Sequence, residues 1–196
     1  MIFMADEKME IPSIELLRKE LEREESRYHF RRAILTITGI LVVAAAITAL
    51  LATRLFVLLE INGASMAPTL NEGEIVILRQ TKDIETGDLV GFYYGGKILL
   101  KRVIGSAGDY IDIDEEGNVY VNNEMIDEPY LEEKKLGRCE LDFPYQVPEG
   151  MIFVLGDNRA VSIDSRIKAI GCVENGQIVG KVAFRAWPFA RIGSLD

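Results

Sequence analysis

Three stretches hold side chains able to act on a substrate. The first is Asn62-Gly63-Ala64-Ser65-Met66-Ala67-Pro68-Thr69-Leu70, a serine among small residues ahead of a proline-bearing turn. A hydroxyl so placed stands open, and Gly63 lets another backbone approach closely. Serine becomes a nucleophile only beside a base. The chain's one histidine, His29, lies before a long apolar run that separates it from Ser65. Lysine remains, and its amine must be neutral to accept a proton, which desolvation favours. Lys101 sits in Ile98-Leu99-Leu100-Lys101-Arg102-Val103-Ile104. On a strand it shares a face with Leu99 and Val103, while Arg102 points the other way with Leu100 and Ile104. The third stretch, Gly156-Asp157-Asn158-Arg159-Ala160-Val161-Ser162-Ile163-Asp164-Ser165-Arg166, follows the apolar run Met151–Leu155. Polar residues this dense after a buried-type strand suggest a hydrogen-bonded loop. Each stretch alone also suits a plainer role: an ordinary serine turn, a strand lysine paired with an acid, a capped turn with local Asp–Arg pairs.

Composition narrows the chemistry. The cysteines are Cys139 and Cys172 alone, too few with one histidine for a structural or catalytic zinc site. No Walker-type phosphate loop or well-placed G-x-G-x-x-G occurs. The expectation is therefore no metal and no nucleotide cofactor. The net charge is -9, with eight acids against seven bases in residues 1–32 and 23 acids against 15 bases beyond them. An acidic body argues against a nucleic-acid partner, which calls for a basic face.

The elements that must position these residues follow. Residues 33–53 hold 21 residues without a charge, and residues 55–59 extend the run after Arg54. About 20 apolar residues span a bilayer, so residues 33–59 are expected to form a retained transmembrane anchor; a cleavable secretory leader would be shorter on both counts. Arg23, Arg27, Arg31 and Arg32 crowd its N-terminal side, against Arg54 on the other. That asymmetry predicts a cytoplasmic N-terminus and an outer domain from about residue 60. His29 is then on the wrong side to serve Ser65. Residues 1–32 read as a cytoplasmic polar helical stub, with Ser13 as a cap, a thin stripe of Ile14, Leu17 and Leu21, and no assigned chemistry. Residues 60–196 read as a β domain, with strand-like runs at 74–79, 89–94, 98–104, 110–113, 119–121, 151–155 and 178–185 divided by glycine-bearing turns. Antiparallel sheets are expected. Residues 122–146 read as a polar surface excursion.

Taken together, the motifs resemble those of bacterial type I signal peptidases. Gly63-x-Ser65-Met66-x-Pro68-Thr69-Leu70 looks like the family's nucleophile box. Lys101-Arg102-Val103-Ile104-Gly105 with Gly108-Asp109 resembles its lysine box, and Gly156-Asp157-Asn158-Arg159, Ser162 and Asp164-Ser165-Arg166 resemble its third box. Gly180-Lys181-Val182, Arg185 and Trp187-Pro188 are similar to its closing segment. The boxes stand in family order after one anchor, over about residues 33–193. The resemblance implies a mostly β catalytic domain, of the signal-peptidase/LexA-like kind, on the outer face of a bacterial cytoplasmic membrane, behind one transmembrane helix. It implies a serine endopeptidase that removes signal peptides from exported pre-proteins after small residues at -1 and -3, without a cofactor. Ser65 would be the nucleophile and Lys101 the general base. Ser162 would hold the Lys101 amine by a hydrogen bond, and Asp157, Asp164, Arg102 and Arg166 would brace the site. Gly63, Ser65, Met66 and Pro68 would form the substrate-binding and oxyanion region, with the Ser65 N–H as one donor. Position 63 is glycine where some relatives carry a hydroxyl residue. The implied partners are signal peptides and the lipid bilayer, with transient contact with the export machinery left open.

Two other readings compete. A soluble self-cleaving repressor of the LexA type would carry a DNA-binding region in place of residues 33–59. A membrane-tethered β module that only binds peptides would need neither Ser65 nor Lys101. Cys139 and Cys172 either bridge, tying the excursion to the core, or stand as two free thiols; no local spacing demands the bridge.

Overall fold

The computed structural model describes residues 13–195. Residues 1–12 of the expected stub lie outside the described residues. The remainder of the stub and the apolar run form one continuous helix, α1 (Ile14–Leu55). No proline interrupts it, and the Arg/Glu/Leu-rich first half and Leu/Ala-rich second half both favour helix. An apolar helix without water must satisfy its own polar groups. Thr36 and Thr48 do so, each hydroxyl donating to the carbonyl four residues back, of Arg32 and Ala44, at 2.9 Å. The helix is long and apolar enough to cross a bilayer.

The expected anchor boundary is corrected at its far end. Residues 56–59 leave the helix and form strand β1 (Phe56–Glu60), in antiparallel register with β2 (Ile75–Arg79) from Phe56↔Arg79 to Glu60↔Ile75. Val57 and Leu59 turn inward onto a core cluster while Phe56 and Leu58 face outward. That period of two is the reason the run ends as strand. All seven sequence-read strands are present: β2, β3 (Leu89–Tyr94), β4 (Lys97–Ser106), β5 (Tyr110–Ile113), β6 (Val119–Val121), β9 (Met151–Leu155) and β11 (Ile178–Trp187). Beside β1, the sequence reading missed β7 (Glu124–Met125), β8 (Tyr145–Gln146) and β10 (Val173–Glu174), each two residues long.

The strands make two antiparallel sheets, ordered β1-β2-β11-β3-β4-β9-β10 and β7-β6-β5-β8. β3 and β4 form a hairpin whose turn, Gly95-Gly96, has φ of 56° and 77°. Two successive positive φ values suit the right-handed twist of a tight hairpin and favour glycine. Register shifts in β11, between Val182 and Phe184 and between Arg185 and Trp187, bend the large sheet. Met66 and Leu70 of the β1–β2 connection pack with Ile61, Val76, Leu78, Leu89 and Leu100 in one cluster. Phe153, Leu155, Ile104 and Ile111 centre a second, between the sheets.

The excursion at 122–146 is only partly a surface feature. It supplies β7 and β8, packs Leu136, Leu141, Phe143 and Tyr145 on the second cluster, and buries Glu128. Cys139 and Cys172 are free thiols. The Cys139 thiol lies 3.6 Å from the Leu141 carbonyl, and burial pushes the Cys172 thiol up to about 11.

Candidate active site

Ser65 lies in the β1–β2 connection, in a turn closed by the amide of Ala67 donating to the Ala64 carbonyl and that of Leu70 donating to Met66. Met66 and Leu70 anchor that turn in the core, which leaves Ser65 half-buried at the surface. Gly63 has φ +85° and nothing within 4 Å of where a Cβ would stand. Its backbone is left-handed, so a hydroxyl-bearing residue would be strained there despite the open space.

Lys101 lies on β4, paired with Val90 of β3. Its Nζ is 2.7 Å from Ser65 Oγ. Only 2% of Lys101 is exposed. Burial pushes its amine down from 10.5 to about 8; the carboxylates of Asp164 and Asp157 pull it partly back up, and Arg166 pushes down. The seryl hydroxyl thus faces an amine of which about a tenth is neutral at pH 7, far more than for an ordinary lysine.

The third stretch closes over both. The Asn158 amide donates to the Ser65 carbonyl at 3.0 Å. Arg102, next to the lysine, donates to both oxygens of Asp157, at 2.9 and 2.7 Å, and to the Gly87 carbonyl at 2.9 Å. Asp164 and Arg166 form a fully buried pair with two contacts of 2.8 Å, and Asp164 also accepts the Gly156 amide. Burial pushes the Asp164 carboxyl up, but the Arg166 guanidinium and the Gly156 amide outweigh it and hold it below the ordinary range. A Cβ on Gly156 would meet the Ser162 hydroxyl and come within 2.5 Å of the Ser65 carbonyl oxygen. Glycine there lets the two chains meet.

The hydrogen bond expected from Ser162 to the Lys101 amine is not formed. The Ser162 hydroxyl is buried beside Asp164, where it helps hold that carboxylate's charge, yet it is not aligned for a hydrogen bond. Its backbone amide is committed to the Asn158 carbonyl, which seats the hydroxyl against Gly156.

Ser65 and Lys101 open onto a groove of about 770 Å³, lined among others by Leu59, Asn62, Met66, Ile98 and Leu99. Met66 closes its floor from within the core; Gly63 and Pro68 are not among its lining residues. β1 and β4 stand at the first and fifth places of the large sheet, so the twisted sheet coils enough for both to border one groove. Among the described residues no group of three or more His, Cys, Asp or Glu side chains is placed to hold a metal ion.

The family model described as signal peptidase, peptidase S26, matches residues 32–187. The chain belongs to the signal peptidase family. It is 41% identical to signal peptidase I of Bacillus caldolyticus, with 75% of this chain and 88% of that protein covered. It is 39% identical to signal peptidase IB of Staphylococcus aureus strain Mu50, with 66% and 77% covered. A crystal structure of signal peptidase I from Enterococcus faecalis V583 is 29% identical, with 52% of this chain and 98% of that chain covered and a TM-score of 0.42. As a member of this family the chain is a serine endopeptidase.

The sequence reading assigned no role to Thr69, Glu74, Glu128, Tyr130 or Arg185. Thr69 donates to Asp157 at 2.5 Å. Glu128 pairs with buried Arg159, and Tyr130 donates to Glu128 while its ring lies 3.8 Å under the Arg102 guanidinium. Burial, then the Glu128 charge, pushes the Tyr130 hydroxyl well above its ordinary value. The signal for Glu128 and Tyr130 was faint: an acid and an aromatic around Pro129 inside an otherwise polar run.

Proposed function

We propose that the enzyme removes signal peptides from exported pre-proteins with Ser65 as nucleophile and Lys101 as general base. One observation carries this reading: a buried amine with a depressed pKa stands 2.7 Å from the only serine hydroxyl lining the groove. The Ser65 proton passes to Nζ as Oγ bonds to the scissile carbonyl carbon. The ammonium then protonates the leaving amine, the C–N bond breaks, and an acyl-enzyme remains. Water attacks the ester carbonyl, giving a proton to Lys101; the acyl C–Oγ bond breaks, Lys101 returns that proton to Oγ, and the acid product, free Ser65 and neutral Lys101 result. The Ser65 N–H is the proposed donor to the oxyanion. The left-handed backbone at Gly63 disfavours a side-chain donor at that position.

The substrate lies extended in the groove. Residues 97–101 of β4 pair with β3 on one side, whereas β9 pairs only from Arg102 onward. β1 is the outermost strand of its sheet. Both free edges offer backbone groups to an extended peptide. Residues -1 and -3 then point the same way, toward a floor closed by core residues Met66 and Ile61, which favours small side chains.

The apolar part of α1 spans the cytoplasmic membrane, with Arg23, Arg27, Arg31 and Arg32 on the cytoplasmic side and the β domain outside. Protease added to intact protoplasts should remove the β domain; full protection would reverse this orientation. The catalytic reading is tested with the full chain in detergent and a pre-protein, the cut read by mass spectrometry. Ser65→Ala should abolish cleavage with the melting temperature unchanged. Cleavage by Ser65→Ala at the parental rate removes Ser65 from the role.

A further inference from the structure

Thr69 belongs to the turn that carries Ser65, four residues beyond it, and both of its polar ends are engaged. Its hydroxyl donates to Asp157 at 2.5 Å, and its carbonyl accepts Arg185 Nη2 at 2.6 Å. Asp157 is in turn gripped by Arg102, the chain neighbour of Lys101. Covalent chain and hydrogen bonds therefore close a ring from Ser65 through Thr69, Asp157 and Arg102 to Lys101, with the Lys101–Ser65 contact as its last link. Arg185 holds this ring at the Thr69 carbonyl. It comes from β11, is itself buried, and is backed by Glu74, whose carboxylate lies 3.1 Å from Arg185 and 2.7 Å from Arg191. Glu74 stands at the far end of the same β1–β2 connection, and its carbonyl accepts the Ile61 amide where that connection begins.

We propose that Thr69 and Arg185 are positioning residues for the nucleophile: they clamp the Ser65 turn between the Asp157 carboxylate and strand β11, setting the distance from Ser65 Oγ to Lys101 Nζ. The inference rests on Ser65 and Lys101 forming the reacting pair. Neither residue lines the groove, so neither contributes to holding the peptide. The clamp therefore acts on the chemical step and leaves substrate affinity alone. A misplacement of about 1 Å in a reacting pair lowers rates by about a hundredfold.

The test compares Thr69→Val, Thr69→Ser and Arg185→Lys with the parental full chain in detergent, in single-turnover cleavage of a pre-protein, beside Ser65→Ala. Valine keeps the volume of threonine at a half-buried site and removes only the hydroxyl. Lysine at 185 keeps the charge beside Glu74 and gives up the reach to the Thr69 carbonyl. Thr69→Val and Arg185→Lys should each lower the single-turnover rate by about 10- to 100-fold. The half-saturating substrate concentration should stay within about twofold, and Thr69→Ser should restore the rate. A rate within twofold of parental for both Thr69→Val and Arg185→Lys overturns the proposal, whatever their melting temperatures. So does a rate loss in Thr69→Val that serine fails to rescue. Activity retained by Ser65→Ala would instead overturn the catalytic reading beneath it.

Discussion

Replacing Lys101 by methionine should abolish cleavage and, at neutral pH, stabilise the fold. In the unfolded chain the amine keeps its proton up to 10.5, and in the folded domain it gives that proton up near 8. Between those values the unfolded state binds more protons, so this group's contribution to stability rises with pH and is least favourable below about 8. At about 1.4 kcal/mol per pKa unit, the shift amounts to about 3 kcal/mol at pH 7 and about 2 kcal/mol at pH 9. Methionine carries no charge at any pH, has similar length, and removes that cost. For a domain of this size each kcal/mol moves the melting temperature by about 2–4 °C. Lys101→Met should therefore melt about 6–12 °C above the parental protein at pH 7, the gain shrinking by about a third at pH 9. The assay is thermal unfolding of the full chain in detergent, followed by the circular dichroism of the β domain, at both pH values. Under the proposed mechanism kcat/KM, with chemistry limiting, should rise with pH through an acid limb centred near 8, because only a neutral amine can accept a proton from Ser65. A stability gain that does not shrink between pH 7 and pH 9, or an acid limb centred at 10 or above, refutes the desolvated-base argument.

Gly156→Ala should lower cleavage about tenfold or more and cost about 1–3 kcal/mol by overpacking, because its Cβ would press on the Ser65 carbonyl and the Ser162 hydroxyl; parental kinetics would show that the close approach is dispensable. Glu128→Gln leaves buried Arg159 without its counter-charge, so a loss of about 3–5 kcal/mol is expected in the melting curve, and an unchanged melting temperature would contradict it. Lys101→Arg should be inactive at every working pH, since a guanidinium does not give up its proton; measurable turnover would count against Lys101 as base. A pre-protein with Phe in place of Ala at -1 should be cut far more slowly, and equal rates would sink the shallow-floor reading of the groove.

The residues of the candidate site are mostly legible in the sequence. A serine among small residues, a lysine in an apolar strand-like run, and a dense polar stretch after a buried-type strand are local features, and their order along the chain carried the family resemblance. The seven strands were legible because β-branched runs and glycine turns report local backbone preference. β7, β8 and β10 are two residues long, too short for a local pattern to announce them; β8 and β10 pair with β5 and β9, well separated in sequence, and β7 closes a hairpin on its neighbour β6. β1 was read as the end of an apolar span, since Phe56-Val57-Leu58-Leu59 has no polar residue to reveal the change of period. Glu128 has no local mark that sets it apart from a surface acid, because its partner Arg159 is 31 residues away.

By itself the sequence determined the chemical inventory: one serine and one lysine in settings fit for a nucleophile and base, an apolar helix long enough for a bilayer, and a β domain to hold the pair. Residue type and local periodicity suffice for that much. Only the tertiary structure decided the distances and the dielectric. Ser65 and Lys101 are 36 residues apart in the chain, and their 2.7 Å contact exists because β1, β2, β11, β3 and β4 coil into one sheet around the turn that carries Ser65. Whether Ser162 or Ser65 receives the lysine amine, and whether Thr69 and Arg185 idle or clamp, depends on how buried donors and acceptors are apportioned when distant segments meet. That apportioning is a property of packing, since the same donors in an unfolded chain would all be satisfied by water.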